Sequence, residues 1–112
     1  MKSIRNKVQL IGNLGAAPEV KNLDGGKTVA KFSLATNESY KNDKGEKVTD
    51  TTWHNVVAWG KTAEIAEKFL KKGSEVAVDG KLSNRSYETK EGDKKYITEV
   101  VINEIVLLGG KD

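Results

Sequence analysis

Two periods of hydrophobic and polar positions alternate along this chain. Residues 4–14, IRNKVQLIGNL, place Ile4, Val8, Leu10 and Leu14 on one parity and Arg5, Lys7 and Gln9 on the other, the period of a strand with one covered face. Asn13, Gly15 and Pro18 then break the pattern. Residues 28–36, TVAKFSLAT, repeat it with Ala30, Phe32 and Leu34 on one face, after a hairpin-type turn at Asp24-Gly25-Gly26. The polar stretch 41–50, with Gly45 at its centre, reads as an exposed hairpin tip, and a third strand follows over 51–59, TTWHNVVAW. From Thr62 to Lys72 the period becomes helical: Ala63, Ile65, Ala66, Phe69 and Leu70 form a stripe, Thr62 is the expected N-cap and Gly73 the stop. Strand alternation resumes over 74–82, SEVAVDGKL, and runs into two β-rich arms around Glu91-Gly92-Asp93, which supply the fourth and fifth strands.

Three strands, a helix and two strands is the order of an all-β, five-stranded Greek-key barrel of the oligonucleotide/oligosaccharide-binding type (OB-fold), with one α-helix between strands 3 and 4. An SH3-like barrel is the competing arrangement. No internal repeat, low-complexity tract or linker divides the chain, so residues 1–112 are expected to form one domain.

Composition narrows the chemistry. At 112 residues the chain can bury one modest core and no more. It has no cysteine, which removes disulfides, thiolate metal sites and cysteine nucleophiles and suits a reducing compartment. MKSIRNK leads into a broken apolar stretch, with no signal-type core and nothing near the ~20 apolar residues of a membrane span. A soluble, cytoplasmic protein with no membrane partner is expected. The net charge of +3 and isoelectric point near 9.0 lean toward an anionic partner without identifying one.

Catalytic patterns fail on inspection. GKT occurs at 26–28 and 60–62, but a phosphate-binding loop needs a glycine five residues before its second glycine, where Lys21 and Asn55 stand. His54 is the only histidine, so a metal site would rest on carboxylates alone and a serine triad on a strand residue; packing or an interface is the expected role. No enzyme activity, metal or cofactor is expected.

The aromatic residues point elsewhere. Period two puts Trp53, Asn55, Val57 and Trp59 on one face of the third strand and His54, Val56 and Ala58 on the other. The second set is small and apolar and suits a barrel interior. The first mixes two indoles with an amide, so the tryptophans are expected to face outward; the alternative places both in the core. Six residues of strand span ~20 Å, room for several nucleotides, and aromatic platforms suit sequence-tolerant binding of unpaired bases. Tyr40 beside Lys41 and Tyr87 close to Arg85 add rings with cations nearby, although solvated hairpins carry such residues without any ligand. Phe32 and Phe69 are expected in the core, and Tyr96 has no assigned role.

Four segments, NKVQLIGNLGAAPEV at 6–20, FSLATNESY at 32–40, TWHNVVAWGKTAE at 52–64 and LKKGSEVAVDGKL at 70–82, are closely similar to the bacterial single-stranded DNA-binding proteins. The resemblance covers nearly the whole chain. It implies an OB-fold that assembles as a homotetramer and wraps single-stranded DNA in replication, recombination and repair, near the nucleoid and without catalysis. Position by position it implies base stacking by Tyr40, Trp53, Trp59 and Tyr87, phosphate contacts by Lys7, Lys21, Lys61, Lys72 and Arg85, and a subunit contact by His54.

The chain also departs from the family pattern. Tyr40 and Tyr87 stand where a well-known branch has tryptophan, and Asn55 and Ser86 where it has basic residues. The family continues through a flexible linker to an acidic tip ending in Asp-Phe, whereas this sequence stops at Gly109-Gly110-Lys111-Asp112. The resemblance therefore implies the core part of a longer protein, one not expected to recruit replication and repair partners that depend on the tail. A primosome-type accessory barrel that binds other proteins is the alternative function; it would keep the fold without needing all four aromatic positions.

Overall fold

The computed structural model describes residues 5–108; Ile4 of the expected first strand and the stop at 109–112 lie outside them. Six strands and one helix follow in order: β1 Val8–Leu14, β2 Glu19–Leu23, β3 Lys27–Lys41, β4 Lys47–Trp59, α1 Gly60–Phe69, β5 Glu75–Glu88 and β6 Lys94–Leu108. Five of the strands close a barrel in the order β1-β5-β6-β4-β3, with β3 returning to β1 through Asn13↔Ala35 and Leu14↔Leu34. Closure draws β1 and β3 so close at Gly12 that a Cβ there would collide with the Ala35 carbonyl oxygen. All pairings are antiparallel except β4 with β6, which run parallel over 56–58 of β4. The expected OB-type barrel is thus the observed one, its helix between β4 and β5.

The inward parity supplies the core. Ala30, Phe32 and Leu34 of β3 face Val56 and Ala58 of β4, Val76 and Val78 of β5, and Val100 and Ile102 of β6. Helix α1 packs on this core through Ala63 and Ala66, with Leu70 just beyond its end; the small residues let its backbone come close.

Four details differ from the pattern reading. First, β2 is an additional strand hairpinned to the start of β3; with only Val20 packed inward and Lys21 and Asn22 polar, its alternation is too weak to read. Second, β3 and β4 continue as a ladder to Lys41 and from Lys47, so only 42–46 is the tip. Polar side chains tie that ladder together, Thr51 Oγ1 donating to Asn37 Oδ1 at 2.6 Å and Ser39 Oγ lying 3.1 Å from Thr49 Oγ1. Third, α1 starts at Gly60, with Trp59 at the N-cap position and no side-chain cap; Thr62 lies inside the helix. Fourth, Phe69 is 58% exposed and is not core. Ala63, Ala66 and Leu70 define the buried line, and Ile65 and Phe69 fall roughly 90–130° away from it round a 3.6-residue helix. Gly73, at φ 88°, turns the chain three residues past the C-cap at Leu70.

Beyond the barrel, the β3–β4 and β5–β6 ladders project as arms. On β6 the register skips Asn103 between the pairs Gly80↔Ile102 and Asp79↔Glu104, a bulge that bends this hairpin near the barrel wall.

A candidate nucleic-acid interface

In an antiparallel ladder, directly opposed residues share a pleat face. Three rows on the outward face of β3 and β4 are Ala35↔Trp53, Ser33↔Asn55 and Val29↔Trp59. Trp53 is 59% and Trp59 47% exposed, while Val56 and Ala58 on the opposite parity are buried. Both indoles therefore stand on the outside of the barrel, ~20 Å apart along one strand. Val57, on the same outward parity and between the two indoles along β4, is nevertheless buried and lines a cleft.

That cleft has a volume of about 360 Å³ and is open to solvent. Ser33 and Asn55 line it, the β1–β2 connection contributes Ala16, and Arg85 and Glu99 stand on the β5–β6 side. Arg85 donates from Nε to Glu99 Oε1 at 3.0 Å and from Nη2 to Oε2 at 3.2 Å. Only 8% of the Glu99 side chain is exposed, against 48% of the Arg85 side chain. The Glu99 hydrogen bonds, and after them its charge, raise the Arg85 pKa above the ordinary arginine value.

The expected basic residues fall into two groups. Lys21 opposes Val29, which opposes Trp59, so one cross-strand row joins that lysine to that indole. Lys61 lies in the first turn of α1, two residues after Trp59. Lys72 precedes Gly73, whose N–H donates to the Leu14 carbonyl beside Gly15. Gly15 in turn abuts Trp53. Among the described residues none of these three lysines has a carboxylate partner. Lys7 and Arg85 differ: Lys7 Nζ reaches both Asp79 oxygens, at 3.0 and 2.9 Å, on the β1–β5 side of the barrel, and Arg85 is held by Glu99.

The four aromatic positions are not one platform. Tyr87 lies on the pleat face of Arg85, exposed, opposite Lys95. Tyr40 lies five residues beyond Ala35 with no register shift, and so occupies the pleat face opposite that of Trp53. His54 is half-buried on the inward parity, its Nε2 3.0 Å from Thr36 Oγ1. Tyr96 is the most exposed aromatic ring, with Lys94 Nζ 6.0 Å from its centroid.

Glu99 escapes the pattern reading because it interrupts an apolar run, ITEVVI. Reflection about Glu91, at the centre of the turn, finds it, since that pairs Arg85 with Ile97 and leaves Glu99 on the diagonal of the same face. Gly15 reads as a break in the pattern, and nothing local to it announces the indole that it touches.

A model described as the single-strand binding protein family matches residues 5–108. The chain belongs to the single-strand binding protein family. Within the family it is 47% identical over 108 residues to single-stranded DNA-binding protein 1 of Chlorobaculum tepidum, covering 96% of this chain and 67% of that one. It is 42% identical over 107 residues to the single-stranded DNA-binding protein of Neisseria meningitidis, covering 96% of this chain and 62% of that one. Among solved structures it is similar to the Plasmodium falciparum SSB complex with ssDNA, with a TM-score of 0.85 and 35% identity, over 96% of this chain and 98% of that one.

Proposed function

We propose that this member of the single-strand binding family binds single-stranded DNA without reading its sequence, as a binding protein and not an enzyme. The observation that carries the reading is the pair of half-exposed indoles on one outward face, flanked by three lysines that have no carboxylate partner among the described residues. Trp53 and Trp59 stack on bases; Lys21, Lys61 and Lys72 hold the flanking phosphates. Tyr87 continues the path along β5, and Tyr40 offers a ring on the far side of the β3–β4 arm, reached by a strand that wraps the arm. Lys7 and Arg85 already face carboxylates, which reduces what each can give a phosphate. The Plasmodium falciparum relative, similar over almost its whole length, is described in complex with single-stranded DNA, which supports the same ligand here. Replication, recombination and repair in the cytoplasm are the processes in which such a protein acts.

The oligomer belongs to the same reading. Ile11, Ala77 and Val106 form an apolar row across β1, β5 and β6 on the outside of the barrel, with Ile11 and Val106 exposed. Over residues 8–11 the other edge of β1 has no ladder partner among the described residues. An open strand edge beside an apolar face supports association with further copies of the chain, a tetramer in this reading, with His54 at a subunit contact.

Titration of the purified protein with oligo-dT and with a matched duplex, followed by tryptophan fluorescence, tests the ligand. Saturable quenching by oligo-dT with little response to duplex is expected. Equal response to both would overturn the single-strand preference.

A further inference from the structure

The charged side chains lining the cleft are Glu19, Lys31, Arg85 and Glu99, two of each sign, whereas Lys21, Lys61 and Lys72 are not among its lining residues. The middle of the face is balanced in charge and its margins are cationic. Phosphates are drawn to margins of this kind, and bases to a neutral cleft.

Arg85 is the cation that would break the balance if it were free, and its geometry shows what restrains it. The Glu99 carboxylate takes Nε and Nη2 together, the bidentate form that fixes the guanidinium plane. A phosphate could take Nε and Nη2 together only by stripping Arg85 from Glu99. That would leave a carboxylate with 8% exposure unpaired in the cleft wall. Nη1, which makes no bond to Glu99, keeps two N–H donors for a base edge.

We propose that Glu99 is a positioning residue for strand binding: it holds Arg85 in the cleft wall as a charge-neutral plate that faces the bases, and withholds it from the phosphates. The proposal rests on the single-strand reading above. Under it Arg85 adds nothing to the salt dependence of binding, although it is a cation on the binding face.

Oligo-dT affinity measured by indole quenching over a salt series tests this with the full chain. Glu99→Gln preserves shape and an acceptor for Arg85 but removes the charge. It is expected to bind more tightly at low salt, to converge with wild type at high salt, and to steepen the slope of log affinity against log salt by about 0.7. The Arg85→Gln/Glu99→Gln double variant should return to the wild-type slope, which identifies Arg85 as the released cation. A Glu99→Gln slope equal to wild type would overturn the proposal, as would a double variant as steep as Glu99→Gln.

Should either variant fail to fold, nitrogen-15 spectra of wild type decide, because Arg5 and Arg85 are the only two arginines. The Arg85 Nε–H signal should stay slowly exchanging when oligo-dT is added, and its loss would overturn the proposal. Absence of any wild-type quenching by oligo-dT is a separate outcome: it removes the single-strand reading itself, and the proposal with it.

Discussion

Gly15 and Trp53 are in van der Waals contact: a Cβ added to Gly15 would fall 2.6 Å from Trp53 Cζ3 and 2.9 Å from Cη2. The Gly15 N–H also donates to the Ser33 carbonyl at 3.1 Å, which pins the backbone against the indole. The glycine thus sets where the ring lies. Gly15→Ala should push the exposed indole aside and leave the barrel intact. Its melting temperature is expected to stay within a few degrees of wild type, while oligo-dT affinity falls by up to the ~1–3 kcal/mol of one base stack. A circular dichroism melt beside a fluorescence titration checks it; unchanged affinity would show that the ring position does not matter.

Trp53 and Trp59 should behave as surface residues in stability and as anchors in binding. Alanine at either is expected to weaken oligo-dT binding by about 1–3 kcal/mol for each base left unstacked, with the salt slope nearly unchanged because stacking releases no counterions. Leu34→Ala offers the contrast: Leu34 is fully buried, and such a change costs about 2–5 kcal/mol of folding stability. Thermal melts that collapse for the tryptophan variants would contradict the outward placement.

The reach of the sequence differs from one residue to the next. Trp53 and Trp59 can be oriented because Val56 and Ala58 between them are small and apolar, and a strand has only two faces. Tyr40 cannot, because its side depends on an unbroken register running from Ala35 out to Lys41, and a polar run such as NESYK does not show whether it is strand or loop. Phe69 reads as core because its helix carries more apolar residues than its buried line needs, and only packing shows which of them stay outside. Pairing is the least local property. Arg85 is one more cation in the sequence and becomes a neutral element only when the β5–β6 ladder brings Glu99 onto its diagonal.

The lysines should separate by their partners. Replacing Lys21, Lys61 or Lys72 with alanine is expected to weaken binding most at low salt and to flatten the log–log salt slope by roughly 0.7 for each phosphate no longer neutralised. Lys7→Ala should change the slope far less, because the Lys7 ammonium is shared between both Asp79 oxygens. Titrations at several salt concentrations distinguish these. A Lys7 effect as large as that of Lys61 would mean that DNA draws Lys7 away from Asp79.

Ile11 provides the test of association. It lies on the outer face of β1 opposite Ala77, which opposes Val106, and two of these three apolar side chains are exposed in the single chain. A charge placed there would have to be desolvated at any interface built on this face, whereas in the isolated barrel it would simply be hydrated. Ile11→Lys should therefore lower the mass of the particle in solution while leaving the far-ultraviolet circular dichroism of the barrel unchanged. Light scattering at micromolar concentration is expected to report a tetramer for wild type and a smaller species for the variant. A wild-type monomer would remove both the oligomer and the subunit contact proposed for His54. A variant that remains a tetramer would move the interface off the β1–β5–β6 face, towards the exposed Ile65 and Phe69 of α1 as the remaining apolar pair on one element.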